Sequence, residues 1–186
     1  MIEIARRSVL GLLGGTALAP GARGLTMEQL AWGFIFPSIE GGTLEFAAFR
    51  GRVLLVVNTA SFCGFTPQYA GLQKLHTARQ AEGLTVIGIP SQDFKQESAS
   101  EAEVKSFCDT QFGIDFPMTA IQKVRGPEAH RFYRWVRGAR GWEPAWNFNK
   151  VLVGRDGRVA GVFGSSDAPE GPRLMAAINT ALAAGD

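Results

Sequence analysis

Apolar and polar positions alternate in blocks along most of the chain, and the period of each block predicts an element. Val53-Leu54-Leu55-Val56-Val57-Asn58 is an unbroken apolar run rich in β-branched residues, the pattern of a strand buried on both faces. Leu84 to Ile89 repeats it after Gly83. Between them Tyr69, Leu72, Leu75 and Ala78 recur at helical spacing, and Pro67 suits a first helical turn, so a helix is expected to begin near Cys63 to Pro67. Shorter strands are expected at Phe34 to Ile39 and, as strand or turn, at Thr43 to Phe49. Ser100 and Glu103 have the spacing of a capping box at the head of a helix that runs through Phe107 and Cys108. Pro127 to Val136 reads as helix and Gly138 to Pro144 as loop. Phe148 to Val153 and Arg158 to Gly164 read as strands joined at Asp156-Gly157, and Ala168-Pro169 opens a last helix with Leu174, Ile178 and Leu182 on one face.

Strand–helix–strand–helix followed by a hairpin and a helix implies a parallel pair at the centre of the sheet with antiparallel strands added by the hairpin. The fold class expected is α/β: a thioredoxin-like arrangement with a central mixed β-sheet flanked by helices. Residues 25–186 form one domain on this reading, with no linker and no internal repeat.

Composition narrows the function. The 186 residues are 46% apolar and 19% charged with a formal charge of +2. That is an ordinary globular balance, without the basic runs that nucleic acid demands. No apolar stretch reaches the roughly 18 residues of a membrane span, so stable membrane insertion is not expected. Residues 1–24 differ from the rest: Arg6-Arg7 precedes an apolar run from Ser8 to Ala19 and then Pro20, the layout of a twin-arginine-like export signal. A periplasmic or exported protein follows from that layout, a cytoplasmic one if Met27 is the true start. The two histidines, His76 and His130, and the two cysteines, Cys63 and Cys108, show no zinc-ligand spacing, so no metal is expected.

Cys63 is the first candidate for chemistry. It follows a buried strand and precedes a helix, where unpaired N–H groups and the helix dipole favour a thiolate, the reactive form. Thr66 stands where a CxxC motif would have its second cysteine. A buried, inert cysteine is the alternative reading of position 63.

The residues around it decide between the two. Asn58-Thr59-Ala60-Ser61-Phe62-Cys63-Gly64-Phe65-Thr66 closely resembles the active-site signature of the glutathione peroxidase family. Gly51 to Leu55, Gln68-Tyr69, Gly83-Leu84, Phe116-Pro117-Met118 and Trp146 to Val153 agree with the family in the same order, covering roughly Ala31 to Leu182. The resemblance implies a thiol peroxidase that reduces hydrogen peroxide and organic hydroperoxides at Cys63. Trp146 and Asn147 would be neutral donors to the sulfur. The family's Asn-Gln-Phe-Gly stretch stands here as Gln92-Asp93-Phe94-Lys95, which puts Asp93 in the place of the catalytic glutamine and Gln92 in that of the asparagine. An ionised Asp93 cannot donate and would disfavour a thiolate, leaving open proton transfer by Asp93, replacement by Gln92, or a slower site. Cys108 resembles the resolving cysteine of members that form an internal disulfide and draw electrons from thioredoxin. A thioredoxin-like dithiol protein or glutathione would then be the reducing partner, and the thiol cycle that the resemblance implies requires no bound cofactor. The short Trp135–Trp146 segment resembles that of monomeric members. Two other functions fit the same residues: a redox sensor or adaptor with a Cys63–Cys108 switch, and a thiol–disulfide oxidoreductase, against which Thr66 speaks.

Overall fold

The computed structural model describes Met1 and residues 30–185. The expected export signal over 1–24 lies, Met1 apart, outside the described residues. The chain builds β1 (Ile35–Pro37), β2 (Thr43–Glu45), β3 (Val53–Thr59), α1 (Gln68–Arg79), β4 (Leu84–Pro90), α2 (Glu101–Phe112), α3 (Arg131–Arg140), β5 (Lys150–Val153), β6 (Val159–Phe163) and α4 (Pro172–Ala183). The main sheet has the order β4-β3-β5-β6. β3 pairs parallel with β4 and antiparallel with β5, which pairs antiparallel with β6, while β1 and β2 form a separate hairpin. A parallel pair extended by an antiparallel hairpin, with helices packed over it, is the thioredoxin-like α/β arrangement that the apolar runs predict.

All seven residues of β3 are buried, and alternation sends them into two cores. Val53, Leu55 and Val57 pack with Tyr69, Leu72 and Leu75 of α1, Val104 and Cys108 of α2, and Leu174 and Ile178 of α4. Leu54 and Val56 pack on the other face with Phe36, Phe46 and, from α3, Phe132, Tyr133 and Val136. Gly88 is the one β4 residue without a side chain, because a Cβ there would lie 3.1–3.3 Å from Phe116 and Met118, whose segment lies alongside β4 at Gly88.

Several boundaries depart from the pattern-based expectation, each for a local reason. Thr43 to Phe49 splits into β2 and a 3-10 turn over Phe46–Phe49. The helix expected from Pro127 begins at Arg131, after His130 Nδ1 accepts the Phe132 N–H at 3.2 Å, and it continues through Gly138 until Gly141 ends it at φ +61. β5 starts at Lys150 rather than Phe148. The expected capping box is half made. Ser100 Oγ accepts the Glu103 N–H at 3.4 Å, whereas the Glu103 carboxylate takes the Ser98 hydroxyl and Ser98 Oγ takes the Ser100 N–H.

Candidate functional site

Cys63 sits in the connection between β3 and α1. The helix does not start at Cys63 as the sequence pattern suggests; α1 begins at Gln68, and Cys63 heads a series of tight turns that lead into it. Thr66 holds the first of these. Its hydroxyl donates to the Ala60 carbonyl at 2.9 Å and accepts the Cys63 N–H at 3.0 Å, and its own N–H closes on the Cys63 carbonyl at 3.0 Å. The CxxC-like position thus serves as a brace rather than as a second thiol. The turn aims the Phe65 N–H at the Cys63 sulfur, 3.4 Å away. Cys63 is 6% exposed, while its neighbours Phe62 and Phe65 are 68% and 36% exposed.

Two other segments close on this turn. The Phe62 N–H donates to the Gln96 carbonyl at 2.9 Å, and the Ser61 N–H to Glu97 Oε1 at 3.0 Å. The Gln96 side chain accepts from Asn147 Nδ2 at 3.0 Å. Asn147 is fully buried, and its Oδ1 has no partner. Trp146 is half-exposed and packs at a tilt against Phe94, ring centroids 5.3 Å apart, with the Arg125 guanidinium 5.4 Å over the Phe94 ring. The structure therefore joins the turn of Cys63, through Gln96, to the segment that carries Trp146 and Asn147. Among the described residues the Phe65 N–H is the sole hydrogen-bond donor to the sulfur; neither the Trp146 indole nor the Asn147 amide bonds it directly.

Gln92 and Asp93 are placed differently from what the sequence suggests. Asp93 Oδ2 accepts the Val124 and Arg125 N–H groups at 2.7 and 3.1 Å, so its carboxylate clamps the loop before α3. Gln92 Nε2 donates to the Glu97 carbonyl within its own turn. The amide brought to Asn147 belongs instead to Gln96, which sequence reasoning missed. Lys95 is the cause: at φ +56, with its N–H on the Gln92 carbonyl at 2.9 Å, it reverses the chain and carries Gln96 to the turn at Phe62. The signal available was a non-glycine residue at a position where the resemblance expects glycine.

Cys108 lies in α2, 1% exposed, in the same apolar cluster as Cys63. Both thiols are free. Burial, with added repulsion from Glu97 and Asp109, pushes the Cys108 thiol up to about 11 despite the opposing Tyr69 hydroxyl and Lys105. Cys108 is thus a protonated thiol at neutral pH. Glu97 is buried too, and desolvation raises its carboxyl above the ordinary 4.5, against hydrogen bonds from Ser61 and Ser98. Among the described residues no cluster of His, Cys, Asp or Glu could hold a metal ion.

The chain is similar to known proteins over most of its length. A family model described as glutathione peroxidase matches residues 32–137. A hydroperoxy fatty acid reductase of Synechocystis sp. is 40% identical over 150 residues, 75% of this chain and 89% of that one. A thioredoxin/glutathione peroxidase of Escherichia coli is 36% identical over 174 residues, 80% of this chain and 95% of its own. The crystal structure of Trgpx in apo form superimposes with a TM-score of 0.67 at 29% identity, over 84% of this chain and 97% of that one.

Proposed function

The chain belongs to the glutathione peroxidase family and is a thiol peroxidase that reduces hydroperoxides; from that premise we propose that Cys63 and Cys108 run a two-cysteine cycle. The observation that carries the reading is the Cys63 sulfur itself. It receives the Phe65 N–H at the point where the 62–66, 96–97 and 146–147 segments meet.

In the first step the Cys63 thiolate attacks one peroxide oxygen. An S–O bond forms, the O–O bond breaks, and the alkoxide or hydroxide leaves with a proton taken from solvent water, the Trp146 indole and Asn147 amide being neutral hydrogen-bond donors only. In the second, the Cys108 sulfur attacks the sulfenic acid, a disulfide forms and water leaves. In the third, an external dithiol protein opens the disulfide through a mixed disulfide and returns both thiols. We read thioredoxin-type protein, rather than glutathione, as the reductant, because a second thiol is in the same cluster as the first. The proton on Cys108 must leave before it attacks, and the disulfide needs Cα atoms about 4.4–6.8 Å apart. Unwinding of α2 would supply both, by taking the thiol out of its desolvated site.

The rim of the site bears on the substrate. Phe62, Phe65 and Trp146 are three of the few large apolar side chains that the described surface exposes; the first two flank Cys63 in the chain, and the third precedes Asn147, which Gln96 ties to the Cys63 turn. Such a rim favours a hydroperoxide on an apolar chain, in keeping with the fatty acid hydroperoxides named for one relative. The Arg6-Arg7 layout supports export as part of this proposal, in which case the electron donor is a periplasmic dithiol protein. The protein acts as a monomer on this reading.

The test is peptide mapping after one equivalent of peroxide. Wild type is expected to carry a Cys63–Cys108 disulfide, Cys63→Ser to consume no peroxide, and Cys108→Ser to reduce one equivalent but not to turn over with thioredoxin. Accumulation of Cys63 sulfinic acid in wild type with Cys108 still free would replace the two-cysteine cycle with a glutathione-dependent one.

A further inference from the structure

The turn that carries Trp146 and Asn147 ends on Phe148 at φ +58, a left-handed conformation that bulky side chains adopt only where their surroundings impose it. The surroundings act one carbonyl at a time. The Trp146 carbonyl accepts from Asn58 Nδ2 at 3.0 Å, the Asn147 carbonyl from Ser165 Oγ at 2.6 Å, and the Phe148 carbonyl from Lys150 Nζ at 2.8 Å. The Phe148 N–H donates to the Asn58 carbonyl at 2.6 Å. Three consecutive carbonyls are thus each held by a side chain from a different part of the fold.

The pins are themselves tied together. Lys150 Nζ also donates to Gln68 Oε1 at 2.6 Å, and Gln68 Nε2 donates to the Ser165 carbonyl at 2.6 Å. Asn149 Nδ2 donates to Ser165 Oγ at 2.8 Å, and Asn149 Oδ1 accepts the Ala145 N–H at 3.0 Å. Gln68 is the first residue of α1, directly after the Cys63 turns. One network therefore joins the helix behind Cys63 to the turn that bears Trp146 and Asn147.

Lys150 is the unusual member. It is 0% exposed on a central strand and, among the described residues, makes no ion pair at contact distance; its hydrogen-bond acceptors there are one amide and one backbone carbonyl. A buried amine without a carboxylate costs stability that an apolar residue of the same length would not. What it serves is the Phe148 carbonyl and Gln68.

We infer that Lys150 is a positioning residue of the peroxidase reaction: with Asn58 and Ser165 it pins the carbonyls of Trp146, Asn147 and Phe148, and so holds the indole and the amide in register with Cys63. The inference rests on the reading of Cys63, Trp146 and Asn147 proposed above. Burial depresses the Lys150 ammonium to about 8, eased by the distant Asp167 carboxylate, so the charge is weakly held while the donor remains in either state.

The test compares two reactions of the same sulfur in the reduced, full-length protein. Lys150→Met keeps the length of the side chain and removes the donor. Oxidation of Cys63 by peroxide, followed by stopped flow, is expected to slow by about 10- to 100-fold, the usual cost of a catalytic group displaced by an ångström. Alkylation of Cys63 by iodoacetamide, which needs the thiolate but not Trp146 or Asn147, is expected to keep its rate. In an Asn147→Ala background Lys150→Met should then add little, as expected of residues that act through one another. Ser165→Ala, a smaller truncation of the neighbouring pin, carries the same comparison if Lys150→Met does not fold. A wild-type peroxide rate in both variants, equal losses in both reactions, or full additivity with Asn147→Ala would each overturn the inference. Failure of wild type to consume peroxide would instead refute the reading of the site on which it rests.

Discussion

Gln96 offers a way to separate what holds the site together from what makes it react. Asn147 is fully buried, and its amide nitrogen has Gln96 Oε1 as its acceptor, while its oxygen is already without a partner. Gln96→Ala strips the remaining bond and leaves a buried amide unsatisfied at both ends. Losing one such partner costs about 1–3 kcal/mol. Gln96 is only half-buried, so water entering the vacated space offsets part of the loss, and about 1–1.5 kcal/mol is the figure to expect. For a chain of this size that is a fall in Tm of roughly 2–6 °C. Gln96→Glu keeps the acceptor and should keep the Tm near wild type. It also puts a carboxylate into the site, one hydrogen bond from Asn147, where a negative charge disfavours attack by an anionic sulfur. The two variants should therefore diverge: Gln96→Ala loses stability and rate, Gln96→Glu loses rate alone at neutral pH. Thermal unfolding by circular dichroism and stopped-flow peroxide reduction read the two effects. Wild-type values for Gln96→Ala in both assays, or an undiminished rate for Gln96→Glu, would show that Gln96 has no part in the site.

Two further outcomes can be measured by thermal unfolding. Desolvation raises the Glu97 carboxyl above 4.5, so the folded state favours its protonated form; that contribution is fully present below the ordinary carboxylate range and is lost as pH rises through the raised value. Glu97→Gln, which keeps an acceptor for the Ser61 and Ser98 N–H groups, is expected to be more stable than wild type at pH 7 and no more stable at pH 4, and an equal Tm at pH 7 would refute this. Lys95 adopts φ +56, which costs about 1–2 kcal/mol for a residue with a Cβ against the roughly 0.5–1 kcal/mol of extra chain entropy that glycine brings. Lys95→Gly should then stabilise by about 0.5–1 kcal/mol, and a lowered Tm would contradict the turn geometry.

What could be read from the chain, and what could not, follows from the range of the forces involved. β3 and β4 were legible because both faces are covered, which leaves an unbroken apolar signature in the residues themselves. Cys63 was legible as the residue after such a strand. The delayed start of α1 was not, because it depends on one hydroxyl, that of Thr66, choosing the Ala60 carbonyl and the Cys63 N–H. Gln96 was hidden by the reversal at Lys95: an alignment on Phe94 counts residues, and a left-handed residue changes which of them faces inward. Phe148 was assigned to a strand by its apolar character, yet its positive φ is imposed by groups from Asn58 and Lys150. Lys150 had a signal that went unused, since a single charge between Asn149 and Val151 in a strand buried throughout has to find acceptors inside.

The fastening of α2 has a practical side. Of its twelve residues only Val104 and Cys108 are fully buried, so half of the helix's deep anchorage is a thiol. Any adduct on that sulfur, whether a laboratory maleimide or a metabolic electrophile, is forced to dislodge the segment in order to fit. A covalent fragment that captured Cys108 would thus act as a wedge under α2 without touching the reacting sulfur, and a dye placed on an exposed α2 residue such as Thr110 would report the capture as a change in brightness.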